Sequence, residues 1–376
     1  PGKQLFVLPL PIGFYLPLTE LQFRLEELEY SSLLDAAALA PPGSIERSTL
    51  VAGFALSHYG ATIRLGKPFL PMHGETFDIV LPARGLRVLG EAVHTSFKEQ
   101  TIRHAWVAQG AGWTLEADDE PVVAFKGTHL DFHLNWRDEI TFADGEAFSY
   151  RKPTSVLGGL LSSRHKLTHS GAIRVRSTLG PGVDLTFHEP GLLSGRLARG
   201  GRAPARHEVR GAFVGADGVS ALGGAPALEG AWHLGLDSVA ADGTRTNVWT
   251  LENPAPSERH DMGAFAARLN GLTPDLLAAL PPTDSRRRPD VRALEEGRYE
   301  DAYALKAKLE NALAAKLGSA RGSPPARWFE PRGEGALDRL AGDHLRYRYK
   351  GGYWEARASG EWGAAGVDGA IFSAAE

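Results

Sequence analysis

Gly66-Lys67-Pro68-Phe69-Leu70-Pro71-Met72-His73-Gly74-Glu75-Thr76-Phe77 is the stretch on which the fold turns. Pro68 and Pro71 fix φ and push Lys67 and Leu70 toward extended backbone, which excludes helix here. Gly74 supplies a turn, and Thr76-Phe77-Asp78-Ile79-Val80-Leu81 then alternates and branches as a strand does. The segment reads as a stiff lip where a helical region gives way to sheet, with Lys67 on fixed backbone. A lysine before a proline is ordinarily a solvated loop residue; on a rigid lip it is also a candidate to hold an anion.

Upstream of the lip the pattern is helical. The apolar run 5–18 contains Pro9, Pro11 and Pro17 and is too short to span a bilayer, so it reads as an extended strap, either packed along the core or covering an apolar cavity. Thr19 and Gln22 have the spacing of a capping box, and Leu18, Leu21, Leu25 and Leu28 recur at helical intervals. A short helix is expected over 32–39, stopped by Pro41-Pro42-Gly43; Ser44 caps the next, whose Ile45, Val51, Phe54, Ala55 and Tyr59 bury it as far as Gly60.

Downstream, short strands are expected over 76–81, 86–89, 101–107, 128–134, 156–161, 172–177, 183–187, 208–214 and 227–236, separated by turn pairs such as Asp144-Gly145 and Asp217-Gly218. So many consecutive antiparallel strands must close into a barrel or stack as a sandwich to protect their edges. From Asp261 the chain is helical again: Phe265, Leu269 and Leu272 form one stripe, 274–280 another, and Leu305, Leu309 and Leu313 the ridge of a long helix from Tyr299 to Leu317. Residues 283–290 read as a loop, and Tyr349 to Glu355 as a docking strand or turn.

The 376 residues suffice for a sizeable core, and 43% apolar with 23% charged residues is a globular composition. A formal net charge of -4 argues against a nucleic-acid partner. No cysteine is present, which removes disulfides and thiolate metal sites and fits a reducing compartment. The chain starts at Pro1 without a signal peptide and is expected to be a fragment of a longer protein.

Signals for catalysis are weak. There is no phosphate-binding glycine loop, and Gly191-Leu192-Leu193-Ser194-Gly195 has the wrong spacing for a nucleophile elbow. His129, Asp131 and His133 alternate along one predicted strand and could present metal ligands, or form a solvated outer face with Leu130 and Phe132 inward. The five arginines from Arg196 to Arg210 lie in a Gly/Ala/Pro-rich hairpin, either a solvated loop or a tip that touches anionic lipid. Lys306 and Glu310 form an i, i+4 pair, ordinarily an exposed one.

Several stretches together resemble the lipid-binding domain of the oxysterol-binding-protein-related family. Pro9-Leu10-Pro11-Ile12-Gly13-Phe14 with Pro17-Leu18-Thr19-Glu20-Leu21-Gln22 is similar to the family's opening segment, and 67–77 resembles its KPFNPxLGET motif. Leu280-Pro281-Pro282-Thr283-Asp284-Ser285-Arg286-Arg287-Arg288-Pro289-Asp290 is the strongest of these likenesses, and Tyr349 to Glu355 is similar to the closing YKGGYWE. The blocks are collinear over nearly the whole chain. The resemblance implies an α+β fold: one domain over 1–376, with a lid or strap at 1–17, a helical block at 18–60, a large, nearly closed antiparallel β-barrel around an apolar tunnel at 61–256, and a helical subdomain at 257–376. It implies a non-enzymatic, cofactor-free carrier of a sterol or other membrane lipid, with phosphatidylinositol 4-phosphate as a second partner, working as a monomer in the cytoplasm and attaching peripherally to anionic membrane surfaces at organelle contacts. Leu5, Phe6, Leu8, Leu10 and Phe14 would line the lid and tunnel mouth.

The departures fall on the headgroup site. The family's EQVSHHPP becomes Glu91-Ala92-Val93-His94-Thr95-Ser96-Phe97-Lys98, so its two phosphate-binding histidines fall on Thr95 and Ser96. The motif Asn is Leu70, and the helix pattern of Lys, Glu and Arg falls on Lys306, Glu310 and Ala314. The expected headgroup residues are thus Lys67, Thr95, Ser96, Lys306 and Glu310. The segment before Trp113 is longer than the family's and brings His94, Lys98, Arg103 and His104, a cationic group that could rebuild the site. Phosphoinositide exchange is expected to be weakened or altered; the alternative is a lipid-sensing or membrane-tethering scaffold without transfer.

Overall fold

The computed structural model describes residues 10–64, 66–96, 101–159, 165–188, 207–252, 262–319, 323–333, 346–367 and 371–373. Leu5, Phe6, Leu8, Lys98 and the arginines at 196, 199, 202 and 206 lie outside these residues.

The strap turns once as a 3-10 segment, Ile12–Phe14, and becomes strand β1 (Tyr15–Thr19), buried along its whole length. Leu10 and Ile12 pack half-buried against Tyr15, Phe69 and Val291, while Phe14 is 60% exposed. Thr19 then caps α1 (Glu20–Leu25) with the expected box: its N–H donates to Gln22 Oε1 at 2.8 Å and its hydroxyl accepts from Gln22 N–H at 3.4 Å. After α2 (Ser32–Leu39), Ser44 Oγ accepts from Arg47 N–H at 3.1 Å and starts α3 (Ile45–Ser57).

The lip contributes β2 (Lys67–Phe69), which pairs with β1 in parallel. A 15-stranded sheet follows. Its members are β3 (Thr76–Leu81), β4 (Leu86–Ser96), β5 (Thr101–Gly110), β6 (Trp113–Asp119), β7 (Val122–Phe125), β8 (Leu130–His133), β9 (Arg137–Phe142), β10 (Ala147–Arg151), β11 (Thr154–Gly158), β12 (Lys166–Ser177), β13 (Gly182–His188), β14 (Glu208–Val214), β15 (Ala227–Ala231), β16 (Gly235–Val239) and β17 (Arg245–Thr250). All pairings in it are antiparallel, and the ladder runs from β17 through β12, β10, β9, β6 and β5 to β3, with β11, β8 and β7 as a side branch from β12. α3 packs against β12, β13 and β17, and α1 against β3 and β4, so the helical block lies against both ends of the ladder. One core unites these helices with the sheet, from Leu18, Leu25 and Phe54 to Trp106, Trp136, Phe187 and Trp249.

The expected α+β architecture, a large antiparallel sheet with helices before and after it, is therefore present. Three details differ. Residues 227–236 form not one strand but the hairpin β15–β16, turned by Leu234 N–H on the Ala231 carbonyl; Trp232-His233-Leu234 carries none of the usual turn residues. Strands β6, β7, β9, β10 and β17 are additional. Residues 283–290, expected as a loop, instead hold a 3-10 turn at Ser285–Arg287 and the start of a helix at Pro289, and Asp284, Ser285, Arg286, Arg288 and Asp290 are buried.

The C-terminal part holds α4 (Ala264–Leu269), α5 (Pro274–Ala279), α6 (Pro289–Glu295), α7 (Tyr299–Ser319), the small pair β18 (Phe329–Pro331) and β19 (Tyr347–Tyr349), and α8 (Tyr353–Ser359). Gly351 and Gly352 at φ of 90° and 89° make the turn between β19 and α8, a conformation that excludes β-branched side chains. Tyr353 is then buried and donates its hydroxyl to Asp78 Oδ2 at 3.0 Å, docking the closing motif on β3.

Candidate headgroup site

Parallel pairing sets Tyr15 opposite Lys67, and the Lys67 ammonium lies 5.5 Å from the Tyr15 ring centroid. Lys306 of the long C-terminal helix α7 lies 5.2 Å from the same centroid and pairs with Glu310 at 2.7 Å. Phe69 backs the ring at 5.0 Å between centroids. Two lysines far apart in the sequence thus lie beside one aromatic ring. Each such contact contributes about 0.5 to 2 kcal/mol, more as water is excluded. Burial lowers the pKa of Lys67, and Lys306 adds to that effect, while Glu20 and Glu310 oppose it. The Lys306–Glu310 pair, read from sequence as exposed, has side chains only 12% and 24% accessible.

The lip is clamped from behind. Arg288 donates to the Leu70 carbonyl at 2.7 Å and to Glu75 Oε2 at 3.0 Å, while Ser285 Oγ donates to Glu75 Oε1 at 2.6 Å. Thr19 Oγ1 donates in turn to Ser285 Oγ at 3.1 Å. The opening segment, the lip and the 280–290 block therefore meet at one buried knot.

The other expected site residues separate into groups. Thr95 is buried on β4, its N–H donating to Ser323 Oγ at 3.1 Å, and its own Oγ1 has no partner among the described residues. Ser96 is half-buried at the end of β4 and pairs with Thr101 across the ladder. His94 Nε2 meets Thr101 Oγ1 at 3.2 Å. Arg103 is committed to Glu120 at 2.5 Å. His104 is fully buried, its Nδ1 2.6 Å from Asp119 and its Nε2 3.8 Å from Glu20, in a network completed by Arg24 on Asp119. Through Glu20 this network reaches Lys67.

His129, Asp131 and His133 do not converge: His129 faces Asp131 at 3.4 Å, and His133 bonds Thr154 at 3.0 Å. No group of three metal-ligating side chains occurs among the described residues. Two contributors were not anticipated. Tyr15 was hidden in an apolar run, although its register against Lys67 follows once β1 and β2 pair. Inside the core, Lys152 sits 3.4 Å over the Trp136 ring and pairs with Glu27, beside Asp138, whose pKa burial pushes well up; Tyr150 Oη and His58 Nδ1 there have no partner among the described residues.

A large antiparallel sheet, a capped helical block across its ends and an aromatic-backed lysine pair at a clamped lip together describe a β-rich α+β domain. The family model described as oxysterol-binding protein matches residues 1–358, and the chain belongs to that family. It is 34% identical over 373 residues to oxysterol-binding protein-related protein 2B of Arabidopsis thaliana, covering 96% of this chain and 50% of that protein. To protein 1C of the same plant it is 32% identical over 382 residues, covering 96% and 43%. The chain thus spans about half or less of these two curated relatives. Among solved structures it is similar to the Osh3 ORD in complex with PI(4)P from Saccharomyces cerevisiae, with a TM-score of 0.77 and 25% identity over 95% of this chain and 90% of that one. The Osh1 ORD domain in complex with ergosterol gives 0.80 and 27% over 95% and 86%. No helix among the described residues is long and apolar enough to cross a membrane.

Proposed function

We propose that this domain carries one membrane lipid at a time inside the sheet, with a sterol or similar lipid as cargo, and meets an anionic headgroup at the lip. The observation that carries this is the placement of Lys67 and Lys306 against the single ring of Tyr15. Two half-buried ammonium groups repel each other, Glu310 and Glu20 offset part of that repulsion, and a bound anionic headgroup would offset more of it. Likeness to domains solved with PI(4)P and with ergosterol supports the lipid class. Buried Tyr150 Oη and His58 Nδ1 support a cargo with a hydroxyl at its enclosed end. Because Thr95 and Ser96 offer no charge where the family has two histidines, phosphoinositide exchange is weakened or altered. Peripheral attachment to anionic membrane, and a lid over 1–17, belong to the same proposal.

Native mass spectrometry of the purified chain tests it. A stoichiometric lipid adduct, sterol-sized and released by organic extraction, is expected. A lipid-free protein that stays lipid-free after incubation with sterol-containing vesicles would instead favour the scaffold without transfer.

A further inference from the structure

Three ionisable side chains meet inside the sheet, and only two of them account for each other. Lys152, just past the end of β10, donates to Glu27 Oε2, and both side chains are closed off from solvent. Asp138 of β9 is left over from that pair. Its Oδ2 lies 3.9 Å from Lys152 Nζ, beyond hydrogen-bond reach, and has no partner among the described residues. The sheet dictates this meeting: β9 and β10 set Asp138 opposite Tyr150, and Lys152 N–H donates to the Trp136 carbonyl at 3.3 Å. Residues 138 and 152 are therefore diagonal neighbours on one face of the ladder. Two indoles fix the carboxyl groups. Trp136 Nε1 donates to Asp138 Oδ1 at 2.9 Å and Trp106 Nε1 to Glu27 Oε1 at 2.9 Å, with the two rings edge to face at 4.8 Å.

We propose that Lys152 and Asp138 condense to an intramolecular amide, a covalent cross-link between β9 and the end of β10, with Glu27 as the proton carrier. Glu27 Oε2 takes a proton from the Lys152 ammonium, which leaves a neutral amine beside a neutral acid. The amine lone pair forms a bond to Asp138 Cγ, and the Trp136 N–H steadies the charge that develops on Oδ1. Glu27 then passes its proton to the Oδ2 hydroxyl and takes one from the new nitrogen, the Cγ–Oδ2 bond breaks, and water leaves. The products are one secondary amide, one water and Glu27 as an uncharged acid, so atoms and charge balance without any co-reactant. Asp138 must enter as the un-ionised acid, because a carboxylate resists attack. Burial, helped by Glu27 and Asp118 and opposed by Lys152, raises its pKa well above the ordinary carboxyl range. Proximity on two paired strands supplies the rate, and the gain is electrostatic: a dry ion pair becomes a set of neutral groups. The cross-link is independent of which lipid the domain carries.

Intact-mass spectrometry of the whole chain, purified in the folded state and then denatured, tests this. The wild-type chain is expected to be lighter by one water than its sequence requires. A protease specific for glutamate cuts after Glu139 and Glu146, both between the joined positions. The bond should then appear as a branched peptide that links a segment ending at Glu139 to one starting at Ala147. Lys152→Arg and Glu27→Gln, each read in its soluble fraction, should carry the full mass. The wild-type reading decides the question even where a variant fails to fold: a chain of full mass, after prolonged incubation in the folded state, would overturn the proposal. A water loss that survives Lys152→Arg would overturn it too, since that loss belongs to cyclisation at an Asp-Gly pair such as Asp144-Gly145. A bond formed as completely in Glu27→Gln would overturn the role given to Glu27.

Discussion

Arg288 and Glu75 form an ion pair with no solvent access to either side chain, Nη1 to Oε2 at 3.0 Å. The same guanidinium grips Asp290 at 2.7 Å and the Leu70 carbonyl at 2.7 Å, so the lip is fixed from within by its prolines and from behind by a residue more than two hundred positions away. Rigidity of the lip is what allows Lys67 to be held against Tyr15 and Lys306.

Arg288→Leu should therefore be severely destabilising, because it leaves Glu75 buried without its counter-charge. A loss of about 3–5 kcal/mol is expected in urea unfolding. A loss below about 1 kcal/mol would mean that the lip does not depend on this clamp.

Lys67→Ala should separate binding from stability. The ammonium is desolvated and faces Lys306, so its removal is expected to leave the urea midpoint unchanged or slightly raised. Affinity for vesicles bearing anionic headgroups should fall about tenfold, the equivalent of one charge-assisted hydrogen bond. Equal loss of both properties would make Lys67 a structural residue.

Acid should weaken the fold through buried imidazoles. Burial, with a small contribution from His207, lowers the His169 pKa to about 3, against about 6.5 in the unfolded chain. Between these values the unfolded state binds the extra proton, so the stabilisation is complete above pH 6.5 and is lost as pH falls, by up to about 1.4 kcal/mol per unit. Glu91 runs the other way: burial raises it to about 7, so its contribution is complete below about pH 4.5 and is lost as pH rises through 7. His169→Gln should flatten the acid limb of a stability–pH curve, and Glu91→Gln the neutral one, both measured by denaturant titration at fixed pH. An acid limb of unchanged slope in His169→Gln would contradict the assignment.

Much of this was legible in the residues. The capping box at Thr19, the cap at Ser44, strands 76–81 and 208–214 and the long helix over Leu305, Leu309 and Leu313 follow from local patterns that tertiary packing did not override. What escaped was charge that looks solvated and is not. In β6 and β9 Asp118, Asp119, Arg137 and Asp138 break the apolar alternation, yet they are buried against Arg24, Lys152 and one another. Arg286 and Arg288 escaped for the same reason, since their partners Asp78 and Glu75 are remote in sequence. At the site, Lys67 was a candidate from the stiff lip alone and Lys306 came from the family resemblance, while Tyr15 required strand pairing to bring it forward.

Gly53→Ala makes a sharp test of the helix–sheet contact. In an exposed helix this change gains about 1 kcal/mol. Here the new methyl carbon would lie 2.8 Å from Val248 Cγ1, a stiff branched side chain next to β17's Trp249, and a net loss of about 1–3 kcal/mol is expected on thermal unfolding. Stabilisation instead would mean that α3 is not seated against β17.

The central claim is that this domain moves a lipid between membranes, and transfer of a fluorescent sterol from donor to acceptor liposomes measures that directly. Catalytic amounts of the chain should equilibrate the sterol between the two populations, in proportion to protein concentration. Transfer no faster than in buffer, by a protein whose circular dichroism shows it folded, would contradict the account.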